Sequence, residues 1–232
     1  MEKKIVDKGL GEIILRHSSR AKHYTLKISN GQITAILPLQ GDEKKMLQFI
    51  EDNRGKLLKA LQKHPRKQLF DDRTERQMTT FSLHIFRTER ANFYMKLEKG
   101  ILHIACPQDT DFQSEEVQDI LKQLIEKALR HEAKRLLPSR LLSLAKQHGF
   151  TCTGVKINNS HTHWGSCNGK KSINLSLQLM TLPWHLIDYV LLHELCHTVE
   201  MNHSEKFWMQ MNRVTNGKAQ ALRQELKTNH TL

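Results

Sequence analysis

The sequence predicts an α+β fold in which a strand-rich N-terminal part, residues 1–110, precedes a C-terminal part, residues 111–232, that is richer in helix. Apolar and polar residues alternate between residues 10 and 37, which is typical of half-buried strands. A later segment, residues 114–148, has the apolar spacing of a long amphipathic helix. A chain of 232 residues is long enough to bury one sizeable core or two smaller ones.

The first predicted elements are a β-hairpin and a helix. Asn30-Gly31 separates two alternating segments, and Asn-Gly is a strong signal for a hairpin turn. An amphipathic helix is predicted from Asp42 to about residue 64, because its apolar residues recur at helical spacing. The charged and polar residues 66–78 that follow predict a linker.

The same plan recurs later in the N-terminal part. Residues 94–100 and Pro107 match residues 25–31 and Pro38 at a constant offset of 69 residues. A helix-like stretch follows each hairpin, so residues 1–110 are interpreted as a duplicated hairpin-plus-helix unit. The alternative is that two unrelated hairpins share Gly and Pro because turns favour these residues.

The C-terminal part begins with the long helix. Ser114 is a suitable N-cap, and the helical pattern runs toward Pro138 and resumes to Gly149. Residues 172–179 then alternate between polar and apolar side chains without error, which predicts a strand. Pro183 suits the first turn of the helix that follows.

Composition indicates a soluble globular protein. The charged fraction is 26% and the hydrophobic fraction is 38%, which excludes collagen-like, low-complexity and wholly disordered chains. No apolar run approaches the roughly 18 residues that a membrane helix needs, and residues 1–7 lack the apolar stretch of a signal peptide. The four cysteines are scattered without a CxxC pair, so we expect reduced thiols and a cytoplasmic location.

The helix after Pro183 contains His193-Glu194-Leu195-Cys196-His197, an HExxH motif. Residues four apart lie on one face of a helix, so both imidazoles could bind one zinc ion while Glu194 reaches a water on that ion. Most other positions of this helix are apolar, which predicts a buried helix with its polar side facing a cleft.

His203 is the candidate third zinc ligand. Nitrogens bound to one zinc lie within about 3.5 Å of one another, so the helix has to end before His203. Asn202 is predicted to take the left-handed conformation that ends helices, and Ser204 is predicted to cap the next one. Phe207 and Trp208 are expected to anchor the returning chain in the core.

Three neutral histidine ligands leave a fourth position for water, which predicts metal-assisted hydrolysis. Zinc lowers the pKa of that water and polarises a carbonyl group, while Glu194 accepts the proton and passes it to the leaving amine. Cys196 faces away from the cleft on the helical wheel and is expected in the core. Glu200 shares the ligand face, so it could replace or support His203.

The HExxH motif is one of several linked motifs between about Ser160 and Trp208. They are Ser160-xx-His163-Trp164-Gly165-Ser166-Cys167, Ile173-Asn174-Leu175, Asp188-Tyr189-Val190, His193-Glu194-Leu195-Cys196-His197 and Asn202-His203-Ser204-xx-Phe207-Trp208. Together they resemble the YgjP-like metallopeptidase family and, more distantly, the SprT and Spartan group of zinc proteases. The resemblance implies a zincin-like catalytic part with zinc on His193, His197 and His203 and with Glu194 as catalytic acid/base.

The chain departs from the family pattern at one position. The family usually has Arg before Trp-Gly-Ser-Cys, where this chain has His163, which is either a loop residue or a residue that assists the site. Tyr189 also has two possible roles, which are packing in the core and hydrogen bonding to a transition state. In zincin-type proteases the strand before the metal helix is a sheet edge that pairs with substrate, so residues 171–179 are expected to form such an edge.

The leading prediction is therefore a zinc metallopeptidase that acts on peptides or proteins. An alternative is a DNA-associated protein, because the net charge is +12 and the distant Spartan likeness suggests DNA-bound protein as substrate. Strongly salt-dependent DNA binding would favour that alternative, and a flat response to salt would remove it. A third interpretation, a purely structural zinc, fits poorly because structural sites are usually closed by four protein ligands.

Overall fold

The computed structural model describes residues 2–29, 31–63 and 69–229, and contacts divide the chain into two compact units, Met1–Leu69 and Phe70–Leu232. The fold is mixed α+β, with strands concentrated in the N-terminal region and helices later, as predicted. The division by contacts falls after Leu69, and the second sheet contributes to the core of the C-terminal unit.

The N-terminal unit contains a four-stranded sheet in the order β1-β2-β4-β3. The central strands β2 and β4 are parallel, and the outer pairs are antiparallel. Strand β1 is absent from the sequence prediction because most of its side chains are exposed, so it shows little alternation. The strands are β1 (Glu2–Asp7), β2 (Gly11–Ser18), β3 (Thr25–Ser29) and β4 (Gln32–Pro38).

Two helices replace the single helix predicted after this sheet. They are α1 (Glu43–Asp52) and α2 (Arg54–Lys63). Asn53 separates them, because its main-chain N–H donates to the carbonyl of Ile50 and its side-chain amide donates to the carbonyl of Phe49. The predicted helix end near residue 64 and the first residues of the predicted linker, 66–68, lie outside the described residues. The core of this unit comprises Leu10, Ile13, Leu15, Ile33, Ala35, Leu37, Met46, Ile50 and Leu57.

The C-terminal unit begins with a second four-stranded sheet of the same topology. Its order is β5-β6-β8-β7, again with parallel central strands and antiparallel outer pairs. Strands β7 and β8 begin 69 residues after β3 and β4. This common topology favours the predicted duplication over a chance likeness of two turns. The strands are β5 (Arg76–Gln77), β6 (Ser82–Thr88), β7 (Tyr94–Glu98) and β8 (Ile101–Pro107).

A single long helix, α3 (Glu115–His148), follows the second sheet. Pro138 lies inside it without ending it, although an internal proline costs a helix about 3 kcal/mol. Leu137 and Leu141 are fully buried beside it, and burying a leucine contributes about 1.5–3 kcal/mol, so packing offsets that cost. Gly149 ends the helix in the left-handed conformation, with φ of 75°.

A three-stranded sheet, in the order β10-β11-β9, precedes the motif helix. Its middle strand β11 pairs with both neighbours, so the prediction that residues 171–179 form a sheet edge is wrong. The strand also ends early, because the hydroxyl of Ser176 accepts from the N–H of Gln178 and begins a 3₁₀ helix at Leu177–Thr181. The strands are β9 (Gly154–Asn158), β10 (Gly165–Cys167) and β11 (Ser172–Ser176).

The last three helices are α4 (Trp184–Cys196), α5 (Glu205–Val214) and α6 (Ala219–Lys227). Residues of α4 and α5 join the C-terminal core together with the second sheet, α3 and β11. Cys196 is fully buried in this core, as predicted, and burial raises the pKa of its thiol to about 12. Across the described ranges, the structure contains no helix long and apolar enough to cross a membrane.

Candidate active site

Three imidazoles converge at the C-terminal end of α4. His193 and His197 lie on successive turns, and the chain returns so that His203 joins them. The Nε2 atom of His193 lies 3.2 Å from Nε2 of His197 and 3.0 Å from Nε2 of His203. Nitrogens bound to one tetrahedral zinc at about 2.1 Å lie about 3.4 Å apart. The spacing of the three nitrogens therefore suits a single zinc ion.

The helix ends in time for this convergence by a different route from the one predicted. After Cys196 the N–H groups of Thr198 and Val199 donate to carbonyls three residues earlier, which tightens the chain into a turn. Asn202 is not among the described non-glycine residues with positive φ, so its predicted left-handed conformation is wrong. The hydroxyl of Ser204 accepts from the N–H of Phe207 and caps α5, as predicted.

Phe207 supports all three imidazoles from within the core. It is fully buried, and its ring centroid lies 4.9, 4.6 and 4.8 Å from the ring centroids of His193, His197 and His203. Trp208 stacks on His203 with ring centroids 6.1 Å apart. These contacts restrict the rotation of the imidazoles, so the chain itself holds the nitrogens close together.

Glu200 contacts His197 through its main-chain carbonyl group. Nδ1 of His197 donates to the carbonyl oxygen of Glu200 at 3.0 Å, and this bond leaves Nε2 without a proton and free to bind a metal. The carboxylate of Glu200 instead accepts from the hydroxyl of Ser204 at 3.4 Å. In the part of the chain that the structure describes, the side chains whose ligand atoms lie close enough together to hold one metal ion are His193, His197 and His203.

The electrostatics of the histidines favour the neutral form that binds metals. Burial, followed by the neighbouring His197 and His203, lowers the pKa of His193 to about 3. Burial also lowers the pKa of His203, with His197 and Arg223 as further causes. A neutral imidazole offers its lone pair without first losing a proton, so these groups fit a divalent cation.

Glu194 is buried next to the three histidines, and its carboxyl group lacks a complete set of hydrogen-bond partners among the described residues. Its side chain is 5% exposed, and its Oε2 atom has no hydrogen-bond partner among the described residues. Burial raises the pKa of Glu194 to about 8. A buried carboxyl oxygen without a partner is costly, and a nearby divalent cation with its water would both satisfy it and favour its charged form.

Gly165 on β10 packs directly against Glu194. A Cβ atom added at Gly165 would lie 2.8 Å from both Cγ and Oε1 of Glu194, closer than such contacts are found. Glycine here lets the strand approach the carboxylate and fix its position. The Trp-Gly-Ser-Cys motif was the sequence signal for this residue, although its spacing did not reveal the contact.

Replacing Gly165 with Ala is expected to displace Glu194, the predicted acid/base, and to lower kcat/KM of the predicted peptidase activity about 10- to 100-fold, because a 1 Å misplacement of a reacting group can cost about 100-fold. Zinc content is expected to stay the same, since Gly165 is not in the histidine group. Steady-state kinetics and elemental analysis measure both quantities. Gly169→Ala is the matched control, because an added Cβ there contacts nothing within 4 Å. Equal activity of the two variants would contradict the prediction.

His193 and Glu194 line a cleft of about 410 Å³. His163 and Trp164 line one side, and Tyr189 lines the floor with its ring centroid 6.2 Å from that of His193. His163 is exposed, and its Nδ1 lies 2.8 Å from the hydroxyl of Thr162. The remaining side comes from α6 and the residues after it, which the sequence did not single out. These residues are Arg223, Leu226, Lys227 and Asn229.

Cys167 lies near Glu194 but does not line the cleft among the described residues. Its thiol donates to the carbonyl of Asn168 at 3.6 Å, and burial raises its pKa. A thiol that is protonated at neutral pH is a poor metal ligand and a poor nucleophile. Cys167 therefore serves the local structure of β10.

Comparison with known proteins gives one family match. A model of the family described as "YgjP-like, metallopeptidase domain" matches residues 22–229. Among solved structures, the crystal structure of the metallopeptidase zymogen of Pyrococcus abyssi abylysin is similar over 40% of this chain and 93% of that chain. Its sequence identity is 22% and its TM-score is 0.37. No curated protein matches the chain significantly.

Proposed function

Because the chain belongs to the YgjP-like metallopeptidase family, we propose that it hydrolyses peptide bonds with zinc held by His193, His197 and His203 and with Glu194 as general base. Family membership makes the chain a zinc metallopeptidase, with peptides or proteins as substrates. The observation that carries the residue assignment is that Nε2 of His193 lies 3.2 Å from Nε2 of His197 and 3.0 Å from Nε2 of His203.

The donor set supports a catalytic zinc rather than a structural one. Within the described ranges, three histidines form the ligand group, and no fourth Cys, His or acidic side chain joins them. Structural zinc sites are usually closed by four protein ligands, whereas catalytic sites keep a position for water or substrate. His193 and Glu194 also line a cleft that is large enough for a peptide side chain.

When bound, zinc supplies a Lewis acid that polarises the scissile carbonyl and acidifies water. Glu194 accepts the proton of the attacking water and then delivers it to the nitrogen of the leaving amine. Gly165 and the surrounding core hold the carboxylate in place during both transfers. Phe207 and the carbonyl of Glu200 hold the imidazoles in their ligand orientation.

We further infer that residues 111–232 form a zincin-like catalytic domain around the HExxH helix. The burial of α4 supports this inference, because nine of its residues are buried and His193 lines the cleft. The cytoplasmic location and the DNA-associated alternative stay predictions, the second on the basis of the net charge of +12 and the distant Spartan likeness.

Removing the metal tests the proposed function. We expect the purified protein to hold one zinc per chain, to lose casein cleavage on treatment with 1,10-phenanthroline, and to regain it when zinc is restored. Elemental analysis and a casein assay measure these results. Cleavage that persists after complete metal removal, or a purified chain that does not bind zinc, would overturn the proposal.

A second pair of histidines supplies the matched control for zinc counting. His84 and His103 lie on neighbouring strands of the second sheet, with their Nδ1 atoms 3.3 Å apart. His84 is exposed and His103 is half-buried, and two imidazoles at this spacing could bind zinc weakly. The His84→Ala/His103→Ala variant is expected to keep one zinc and full cleavage, which separates the catalytic ion from surface binding.

A further inference from the structure

One wall of the cleft is a helix face that carries two cations. Arg223, Leu226 and Lys227 all line the cleft from α6. They are spaced i, i+3 and i+4, so they lie on one face of the helix. Leu226 packs against the core, and the two charged side chains are exposed beside it. The cleft wall therefore combines an apolar base with two positive charges.

These two charges lack acidic partners within the described structure. The structure places no ion pair on Arg223 or Lys227 among residues 2–29, 31–63 and 69–229. Glu225, the acidic residue of α6, instead approaches Nε2 of His185 at 2.6 Å. Like charges four residues apart on a helix repel each other, so a bound anion would stabilise this arrangement.

Arg223 is held in position by an aromatic ring. Its guanidinium carbon lies 4.9 Å from the ring centroid of Trp208, and Trp208 itself stacks on His203. After burial and the other imidazoles, the charge of Arg223 is a further cause that lowers the pKa of His193. A guanidinium that lies over an aromatic ring can still donate its N–H groups to a carboxylate. Arg223 therefore lines the same cleft as His193, held beside a ring that packs on His203.

The other residues of the cleft carry little negative charge that could compete with a substrate anion for Arg223 and Lys227. Most lining side chains are neutral, and Glu194 is the sole acidic one among the described residues of the cleft. It is buried in the floor, whereas Arg223 and Lys227 are exposed on the wall. A substrate group that enters along α6 therefore meets net positive charge.

We propose that Arg223, assisted by Lys227, binds a carboxylate of the substrate, so that the enzyme prefers peptides with an acidic side chain or a free C-terminus close to the scissile bond. This inference rests on the proposed peptidase function of the same site. Arginine suits the role because it can donate two parallel hydrogen bonds to one carboxylate.

Peptide binding to the zinc-loaded, full-length Glu194→Gln variant tests the proposal without requiring cleavage. Matched peptides carry Glu or Gln at each position around one bond, and each exists as a C-terminal acid and a C-terminal amide. Calorimetry gives Kd for each peptide. We expect the favoured carboxylate peptide to bind about 10- to 100-fold more tightly than its neutral match. The Glu and Gln peptides test recognition of a side-chain carboxylate, and the C-terminal acid and amide peptides test recognition of a terminal carboxylate.

Substitution of Arg223 decides whether it recognises charge or only packs. In the same background, Arg223→Gln is expected to remove the preference and leave binding of neutral peptides within about twofold, whereas Arg223→Lys should keep part of it. Arg213→Gln is the matched control, because Arg213 also lies over an aromatic ring, that of Phe150 at 5.6 Å, but is not among the described residues of the cleft. It should keep the full preference.

Two outcomes would overturn the proposal. One is that the Glu194→Gln protein binds no carboxylate peptide more tightly than its neutral match, and the other is that Arg223→Gln weakens binding of charged and neutral peptides equally. The second would indicate packing on Trp208 alone. Failure of the peptidase function appears separately, as absent cleavage by the wild-type protein, while the binding comparison still gives its own result.

Discussion

Replacing Glu194 with Gln is expected to lower kcat/KM for peptide cleavage by about 10²- to 10⁴-fold while one zinc stays bound. The amide has the shape of the carboxyl group but cannot accept a proton from the attacking water. The variant should fold normally. Because burial raises the pKa of Glu194 to about 8, the metal-free protein holds a neutral carboxyl at pH 7, which a neutral amide replaces with little strain.

Three measurements separate a catalytic role of Glu194 from a structural one. Steady-state kinetics measure the loss of activity, elemental analysis measures zinc, and thermal unfolding shows whether the fold is retained. Glu205→Gln, at an exposed position in the first turn of α5, is the control and should keep full activity. If Glu194→Gln binds zinc, unfolds like the wild-type protein and retains a tenth or more of its activity, another group is the general base.

Replacing His203 with Ala is expected to weaken zinc binding by at least about 100-fold and to abolish cleavage at stoichiometric zinc. Loss of a residue that only orients a ligand already costs about 10- to 100-fold in affinity, and His203 is proposed to bind the ion itself. The fold should survive, because His203 is exposed and lies at the edge of the core on Phe207 and Trp208. Competition with a fluorescent zinc chelator measures the affinity.

The control for this experiment is another histidine of the same unit. His185 lies on α4, is exposed, and approaches Glu225 rather than the three-histidine group. His185→Ala should keep the wild-type zinc affinity. If His203→Ala also keeps it, the third ligand lies elsewhere, and adding Glu200→Gln to His203→Ala shows whether the Glu200 carboxylate takes that place, since Glu200 is hydrogen-bonded to Ser204 beside it.

Much of the local structure follows from short-range sequence patterns. Spacing of four residues on a helix places His193 and His197 together, and a serine before a helix caps its first turn, as Ser204 does for α5. Gly149 ends α3 where the pattern predicts it. These predictions succeed because the deciding contacts join residues only a few positions apart, so local geometry determines them.

The HExxH motif and His203 together also predict the candidate zinc site. The ligand spacing limits how far the chain can travel between His197 and His203, so the sequence requires a turn there. It does not determine the type of turn. Main-chain bonds after Cys196 close it, and Asn202 is not left-handed, because a tight 3₁₀ turn and the packing of Phe207 already bring the chain back.

Only the tertiary structure decided which distant segments meet. Strand β11 looked like an edge, yet it is the middle strand because β9 and β10 pair on either side of it. Gly165 contacts Glu194, and Arg223 reaches the cleft from the C-terminal helix. No periodicity marks such contacts, because alternation and helical spacing report which face of an element is buried and not which partner covers it. The convergence of the three proposed metal ligands was therefore predictable from the sequence, whereas the walls of the cleft depended on long-range packing.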